Sequence, residues 1–178
     1  MKKVICTIFV IMLFMSGYAL FSEEQKAGNT THVPEIKEWG GFWYVYMEFE
    51  GSYAKLGEGA KTFSDEMKKQ HLKGEGPLFV TFYNPPKFFK QEECRWAISM
   101  ALDKNIEIKA PLKRRQAPKH MAVTLLHTDL KKNVRESFPI LDKYFLENRY
   151  RKLWPAYEVY DTDKITIVHP IEYPSDKK

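Results

Sequence analysis

Alternation of apolar and polar positions predicts two similar sets of strands, each containing one amphipathic helix. In the first set, residues 42–49 alternate as a strand, and strands over 78–83 and 95–102 follow later. Between the first two strands, from Gly51-Ser52 onwards, apolar side chains recur at helical spacing: Leu56, Ala60, Phe63 and Met67. The first half is therefore predicted to have the order strand, helix, strand, strand (β-α-β-β).

The second half predicts the same order, with strands over 121–127, 156–160 and 165–169. We expect its helix to be capped by Asp129 and kinked by Pro139. The apolar stripe of this helix consists of Leu130, Val134, Phe138, Leu141 and Phe145. The predicted fold class is α+β, built from two β-α-β-β units.

An internal repeat supports this division. Residues 76–82 can be laid over residues 154–160 at a constant offset of 78, which makes Val80 the counterpart of Glu158. Packing two such units about a pseudo-twofold axis predicts helices on one side and a ligand groove between the units.

Residues outside these units suggest targeting. Lys2 and Lys3 precede an uncharged stretch, residues 4–21, so residues 1–22 are predicted to be a signal peptide or an N-terminal membrane anchor. Residues 23–38 are polar and aperiodic and are predicted to be a flexible tether; the domain spans 39–174 and 175–178 form a tail. The domain is expected to be extracytoplasmic, periplasmic or secreted, touching a membrane only through residues 4–21 if these are not cleaved.

Net charge and cysteine content limit the kinds of partner and of covalent cross-link that we expect for this protein. The formal net charge is only +5, and it includes Lys2 and Lys3. A basic cluster is predicted to be the solvated face of a connection, because no DNA-binding motif accompanies it, and nucleic acid is not an expected partner: Lys109, Lys113, Arg114, Arg115 and Lys119. Cys6 lies in the apolar segment, so no intrachain disulfide framework is possible once that segment is cleaved. Cys94 is predicted to be a buried structural thiol, and the alternative is a nucleophile.

Glu158 lies within an aromatic strand, Trp154 to Asp161. By strand alternation it shares a face with Ala156 and Tyr160, whereas Tyr157 and Val159 point the other way. A carboxylate beside apolar surface is costly unless a partner arrives. The alternative is an ordinary exposed glutamate paired with a lysine, but a carboxylate opposite Val80 on one side of a symmetric groove favours a functional role.

Three short motifs resemble those of the GyrI-like small-molecule-binding domains, which also serve as effector-binding domains of AraC-type regulators. They are Glu50-Gly51-Ser52-Tyr53, the segment from Gly76-Pro77 to Asn84-Pro85-Pro86, and residues 154–160. The resemblance spans about residues 40–172. It implies a duplicated β-α-β-β fold and a groove for lipophilic, often cationic ligands, with Glu158 facing the ligand.

The chain departs from that pattern in three places. Thr128-Asp129-Leu130 stands where a Gly-Pro-Tyr-like turn is expected, Trp154 replaces a glycine, and the final hairpin is shortened to residues 161–164. These changes put the size and identity of the ligand in question.

The leading hypothesis is binding of a lipophilic or aromatic small molecule without chemistry and without a cofactor or metal. Glu158 would supply the charge and five aromatic residues the surface: Tyr44, Tyr46, Phe82, Trp96 and Tyr160. The sequence does not decide which face of the first strand turns toward the ligand, because its other face is apolar as well: Trp43, Val45, Met47 and Phe49.

Two alternatives remain. One is a hydrolase in which Glu158 activates water, although the sequence contains no recognised hydrolase motif. The other is a membrane-tethered protein-interaction module, for which a filled groove is expected. A second polar group within hydrogen-bond reach of Glu158 would favour hydrolysis.

Overall fold

A computed structural model describes residues 33–85, 87–103 and 106–174 of the chain. This part of the chain forms an α+β fold with a large antiparallel sheet. Its strands are β1 (Glu35–Trp39), β2 (Trp43–Glu50), β3 (Glu75–Phe82), β4 (Arg95–Ala101), β5 (Lys113–Gln116), β6 (His120–His127), β7 (Arg151–Lys152), β8 (Ala156–Tyr160) and β9 (Ile165–Glu172). Helix α1 (Leu56–Lys69) lies between β2 and β3, and helix α2 (Phe138–Asn148) between β6 and β7.

The predicted apolar segment, residues 4–21, lies outside the described residues, as does most of the predicted tether. Within the described ranges, neither helix combines the length and apolar character needed to cross a bilayer.

The sheet closes on itself through one pair of long, bent strands. Residues 40–42 join β1 to β2 and residues 117–119 join β5 to β6, while β1 pairs with β6 and β2 pairs with β5. The pairs Trp39–His120 and Trp43–Gln116 belong to one continuous antiparallel alignment. Residues 35–50 and 113–127 are therefore two long bent strands lying side by side.

Backbone hydrogen bonds hold the bend between these long strands. The amide of Gly41 donates to the carbonyl of Ala117 (2.8 Å), and the amide of Ala117 donates to the carbonyl of Phe42 (2.9 Å). Gly40 has φ +99°, and a Cβ there would lie 2.0 Å from the carbonyl oxygen of Pro118, so only glycine allows this approach.

The remaining strands complete a ring of six. The second long strand pairs with β9, and β9, β8, β3 and β4 follow in order back to β2 on the first long strand. One face of the ring is its interior, because a single apolar cluster gathers residues from several strands around the ring: Tyr44, Phe79, Ala117, Ala122, Tyr157 and Val168. We call this the inner face.

Both helices cover the outer face. Phe63 and Met67 of α1 pack on one part of the sheet with Val45, Val80 and Ile98. On the other part, Leu141 and Phe145 of α2 pack with Val123, Leu125 and Ile167. Buried side chains at helical spacing thus confirm the last two positions of each predicted stripe.

Three strands of the structure were not predicted from the sequence. The first strand, β1, occupies residues assigned to the tether. The second, β5, contains Lys113, Arg114 and Arg115 of the basic cluster, which was assigned to a connection. Both strands consist mostly of polar residues and are positioned by their partners, so local apolar alternation did not reveal them. The third, β7, is only two residues long.

The second helix starts later than predicted. Leu130 is 48 % exposed, and the carboxylate of Asp129 accepts from the amide of Lys131 instead of capping a long helix. A 3₁₀ turn over Val134–Ser137, capped by Asn133, precedes α2. Pro139 therefore lies in the first turn of α2, where its missing N–H is not needed, and the predicted kink is wrong.

Candidate functional site

Glu158 lies at the centre of the outer face, in the short strand β8. This strand follows Pro155 and ends at a turn in which the amide of Asp161 donates to the carbonyl of Lys164 (2.9 Å). Glu158 pairs with Val80 on β3 and with Ile167 on β9, so apolar side chains flank it on both sides. Its side chain is almost completely covered, with 6 % of the residue exposed.

Tyr160 is the hydrogen-bond partner of this carboxylate. Its hydroxyl donates to Glu158 Oε2 at 2.5 Å, which strand geometry permits because residues two apart point to the same face. No ion pair to Glu158 forms within the described ranges. The structure therefore contains a buried carboxylate held by one hydroxyl donor and by no salt-bridged cation.

Burial raises the pKa of Glu158 above its ordinary value of 4.5. The hydrogen bond from Tyr160 opposes this shift, and the positive charge of Arg135 and the imidazole of His127 oppose it more weakly. Burial also raises the pKa of Tyr160, and the adjacent carboxylate adds to that shift, so the phenol remains a donor. Desolvation is the dominant cause for both groups.

Side chains of β3 form the apolar flank of the site. Leu78 lies opposite Tyr160 and Phe82 lies opposite Ala156, so both stand diagonal to Glu158 on the same face. The ring of Tyr53 meets that of Phe82 edge to face, with centroids 5.0 Å apart.

Two of the sequence motifs meet at this flank. The hydroxyl of Tyr53 donates to the carbonyl of Asn84 (2.7 Å). Asn84 is fixed in turn, because its side-chain amide donates to the carbonyl of Glu93 (3.0 Å) and its side-chain oxygen accepts from the amide of Arg95 (2.8 Å). The turn after β2 and the loop after β3 thus hold Tyr53 against Phe82.

The structure brings together only some of the predicted site residues. Tyr160 and Phe82 lie beside Glu158 on the outer face. Trp96 is on that face too, but it is 2 % exposed, stacks on Phe49 (4.4 Å between centroids) and packs in the core beneath α1.

Tyr44 and Tyr46 point away from Glu158, to the inner face. Both faces of β2 are apolar or aromatic, so alternation alone could not say which one the helices would cover. The register decides it, because Val45 pairs with Met100 and Met100 with Leu78, which places Val45 on the outer face.

Sequence reasoning missed His127 and Arg135 as neighbours of the site. His127 ends β6 and is held by Ser137 Oγ (2.9 Å from Nδ1) and the carbonyl of Lys132 (3.2 Å from Nε2). Arg135 follows in the 3₁₀ turn before α2. Arg135 comes from the segment where the sequence predicted one long helix, whereas His127 was predicted at the end of a strand. Neither pattern indicated that these side chains would lie near Glu158.

Three other features lie apart from Glu158. The ring of Trp154 packs against His169 (5.3 Å between centroids). Cys94 is buried, as expected of a structural thiol. A cavity of about 560 Å³ lies at the edge of β2, and its lining includes Met47, Glu48 and Tyr83 but not Glu158.

No cluster of His, Cys, Asp or Glu suited to hold a metal ion occurs in the part of the chain described here.

The chain matches the GyrI-like small molecule binding domain over residues 32–176. It therefore belongs to this family, and it is a small-molecule-binding domain. The match begins before β1, which agrees with the inclusion of that strand in the fold. No curated protein matches the chain significantly.

Solved structures share the fold at low sequence identity. The C-terminal domain of EcmrR has a TM-score of 0.67 at 15 % identity, with 81 % of this chain and 99 % of that chain covered. EcmrR in its complex with DNA gives 0.69 at 15 % identity and 80 % coverage, but this chain spans only 58 % of that one. SAV2435 bound to tetraphenylphosphonium gives 0.54 at 12 % identity, covering 78 % of this chain and 93 % of that chain. A hydrolase from Listeria innocua gives 0.54 at 10 % identity, with coverages of 79 % and 92 %.

Proposed function

We propose that this domain binds a lipophilic cation at the outer face, with the carboxylate of Glu158 as its charge partner. The observation that carries the proposal is a carboxylate that is 6 % exposed, hydrogen-bonded to Tyr160 and not salt-bridged within the described ranges. Such a group is costly to ionise in the free protein, and a guest of opposite charge offsets that cost. The binding of tetraphenylphosphonium by SAV2435, which shares the fold, is consistent with this ligand class.

The walls of the site suit an aromatic guest. Phe82, Leu78 and the ring of Tyr160 provide apolar surface beside the carboxylate, and Tyr53 extends it. Aromatic faces attract organic cations in addition to burying apolar area. Because Glu158 is covered in the free protein, a guest that contacts it must displace some of the side chains above it.

A duplicated fold with a pseudo-twofold axis also belongs to this proposal. The β3–β8 register supports it: Leu78 pairs with Tyr160 and Phe82 pairs with Ala156, and the offset of the internal repeat converts one pair into the other. The axis would pass between Val80 and Glu158, which pair with each other. The carboxylate would then be the one charged member of a symmetric pair at the centre of the site.

We further propose that residues 1–22 carry the domain out of the cytoplasm, as a cleaved signal or as an anchor, with the uncharged stretch 4–21 as the supporting feature. Cell fractionation of the tagged full chain and of a form lacking residues 1–22 tests this. Recovery of both forms in the cytoplasm would contradict it.

Hydrolysis is the second candidate function, because the hydroxyl of Tyr160 is a polar group within hydrogen-bond reach of Glu158. A carboxyl group with a raised pKa is suited to general acid–base chemistry. The candidate predicts turnover of an ester or amide substrate that is abolished in Glu158→Gln. Absence of turnover, together with cation binding that depends on Glu158, would exclude this role for the pair.

A charge series of ligands tests the binding proposal. Tetraphenylphosphonium and anionic tetraphenylborate have the same four phenyl rings but opposite charges, and neutral triphenylphosphine oxide has three phenyl rings. In thermal unfolding, the cation is expected to raise the midpoint in a concentration-dependent way, and more than the other two, since a ligand that binds only the folded state stabilises it. Equal shifts from all three compounds would show that apolar area, and not Glu158, controls recognition.

A further inference from the structure

A second cluster of polar groups lies on the inner face, behind the Glu158 site. Tyr44 pairs with Arg115, and Thr81 pairs with Tyr157, so these side chains point into the ring from different strands. Tyr83 lies two residues after Thr81, on the same face. Ring centroids of Tyr44 and Phe79 are 5.3 Å apart, and those of Phe79 and Tyr157 are 6.3 Å apart.

Two hydroxyl groups at the floor of this cluster have no hydrogen-bond partner within the described residues. They are Thr81 Oγ1 and Ser99 Oγ, in residues that are 2 % and 0 % exposed. Ser99 pairs with Phe79 and Tyr46, and Thr81 pairs with Tyr157, so both hydroxyls face the aromatic rings. Buried hydroxyls without partners are uncommon because each loses its hydrogen bonds to water, so both groups are available to a polar group that enters the cluster.

Five charged side chains lie at one end of the ring, which we call its mouth, and Arg115 is the one among them without an ion-pair partner in the described part of the chain. Lys113 pairs with Glu48 (2.6 Å), and Arg95 lies 3.9 Å from Glu50. Arg115 lies on the inner face with the tyrosines, because it pairs directly with Tyr44 across β2 and β5. Burial raises the pKa of Tyr44 and raises that of Tyr157 to about 12, and the charge of Arg115 partly opposes both shifts.

Space for a ligand adjoins the cluster. The cavity of about 560 Å³ at the edge of β2 borders this mouth at Glu48, Tyr83 and Lys113, and its opposite wall consists of the outer-face residues Met47 and Trp96 with Thr62 of α1. Its size is in the range of small-molecule sites. We use the word recess for the part of the inner face between this cavity and the two unpartnered hydroxyls. A ligand that fills it must displace some of the aromatic side chains that cover Thr81 and Ser99, because both residues are buried.

We propose that this recess is a second binding site, specific for a small aromatic carboxylate. Arg115 pairs with the carboxylate, since a guanidinium matches its two oxygens, and the hydroxyls of Tyr44 and Tyr157 donate to it. The tyrosine rings hold the aromatic ring of the ligand, and Thr81 and Ser99 bond a polar substituent at its far end. The site is separate from the cation site, because Tyr157 and Glu158 point to opposite faces of β8.

Calorimetric titration with 4-hydroxybenzoate tests this inference, with 4-hydroxybenzamide as the neutral control. The carboxylate is expected to bind the parent protein at least about tenfold more tightly than the amide, because only the carboxylate pairs with Arg115. Arg115→Met is expected to remove that preference. Arg114→Met is the matched control, since Arg114 is the next residue of β5 and reaches the ring of Trp43 and the carbonyl of Ile106 instead.

Thr81→Val provides a test that does not depend on charge. Valine has nearly the same shape but lacks the unpartnered hydroxyl, so the folded protein should be as stable as the parent or more so, while 4-hydroxybenzoate binds several-fold more weakly. Titration of the same variants with tetraphenylphosphonium separates the two sites, because the outer site should be unaffected. Unchanged carboxylate binding in Arg115→Met, or no binding to the parent at millimolar concentration, would overturn the inference.

Discussion

Val80 and Glu158 pair directly across β3 and β8, and both are almost fully buried on the outer face of the ring. Their side chains point to the same face of the sheet but differ in chemistry. Valine contributes apolar packing to the cluster beneath α1, whereas the carboxylate has Tyr160 as its donor.

Tyr160→Phe should change the ionisation of Glu158 as well as stability. The hydrogen bond from Tyr160 lowers the pKa of Glu158, so its loss should raise that pKa further. Because the carboxylate also loses its donor, unfolding in urea at neutral pH should require about 1 to 3 kcal/mol less than in the parent. Carbon NMR titration of the glutamate carboxyls measures the first effect. An unchanged pKa in Tyr160→Phe would show that the hydrogen bond does not control the site.

The pH dependence of stability should report the buried carboxyl. Its pKa is raised on folding, so the folded state holds the proton more tightly, and below the unfolded value near 4.5 both states are protonated. As the pH rises above that value, the parent loses stability until the folded pKa is passed. Glu158→Gln lacks this loss.

The difference in unfolding free energy between the variant and the parent should therefore grow in favour of Glu158→Gln as the pH increases from 4 to 7. Urea denaturation across this range checks it. A difference that is constant with pH would mean that the pKa of Glu158 is the same in the folded and unfolded states. The affinity for a cation should increase over the same window, because only the ionised carboxylate attracts it.

Two glycines of α1, Gly57 and Gly59, provide a matched pair of sites for testing how closely the helix packs on Trp96. A Cβ at Gly59 would lie 2.4 Å from the ring of Trp96, whereas a Cβ at Gly57 meets nothing within 4 Å. Gly59→Ala should destabilise by about 1 to 3 kcal/mol through overpacking. Gly57→Ala should stabilise by up to about 1 kcal/mol, since alanine favours the helix. Thermal and urea unfolding compare them, and equal effects would contradict the close approach of α1 to Trp96.

Pro139→Ala should have a small effect. Pro139 is in the first turn of α2, where its fixed φ suits the helix and no amide hydrogen bond is required. Alanine adds freedom to the unfolded chain, so the expected loss is at most about 1 kcal/mol. A much larger loss in urea unfolding would show that the ring of Pro139 itself stabilises the start of α2.

Local patterns predicted those elements whose signal lies in their own residues. Alternation in β8 placed Glu158 on the face of Tyr160, and helical spacing found Phe63 and Met67 of α1. The overlay of residues 76–82 on residues 154–160 made Val80 the counterpart of Glu158; the two residues pair in the sheet, and the duplication itself stays a prediction. These predictions required only period and order along the chain.

Features set by distant partners could not be predicted in this way. β1 and β5 are polar and become strands because long neighbours pair with them. Ring closure depends on the contact between Gly41 and Ala117, which are far apart in sequence. That closure divides the aromatic residues between two faces, and it separates Tyr44 and Tyr46 from Glu158.

The most direct test of the account is calorimetric titration of tetraphenylphosphonium into the parent, Glu158→Gln and Val80→Ala. Glutamine keeps the size of the side chain but removes its charge, so affinity should fall by about 2 kcal/mol or more, roughly thirtyfold, without loss of stability at neutral pH. Val80→Ala should instead lose about 1 to 2 kcal/mol of stability and bind with near-parental affinity. If Glu158→Gln binds the cation as tightly as the parent does, Glu158 is a structural residue and recognition by charge is wrong.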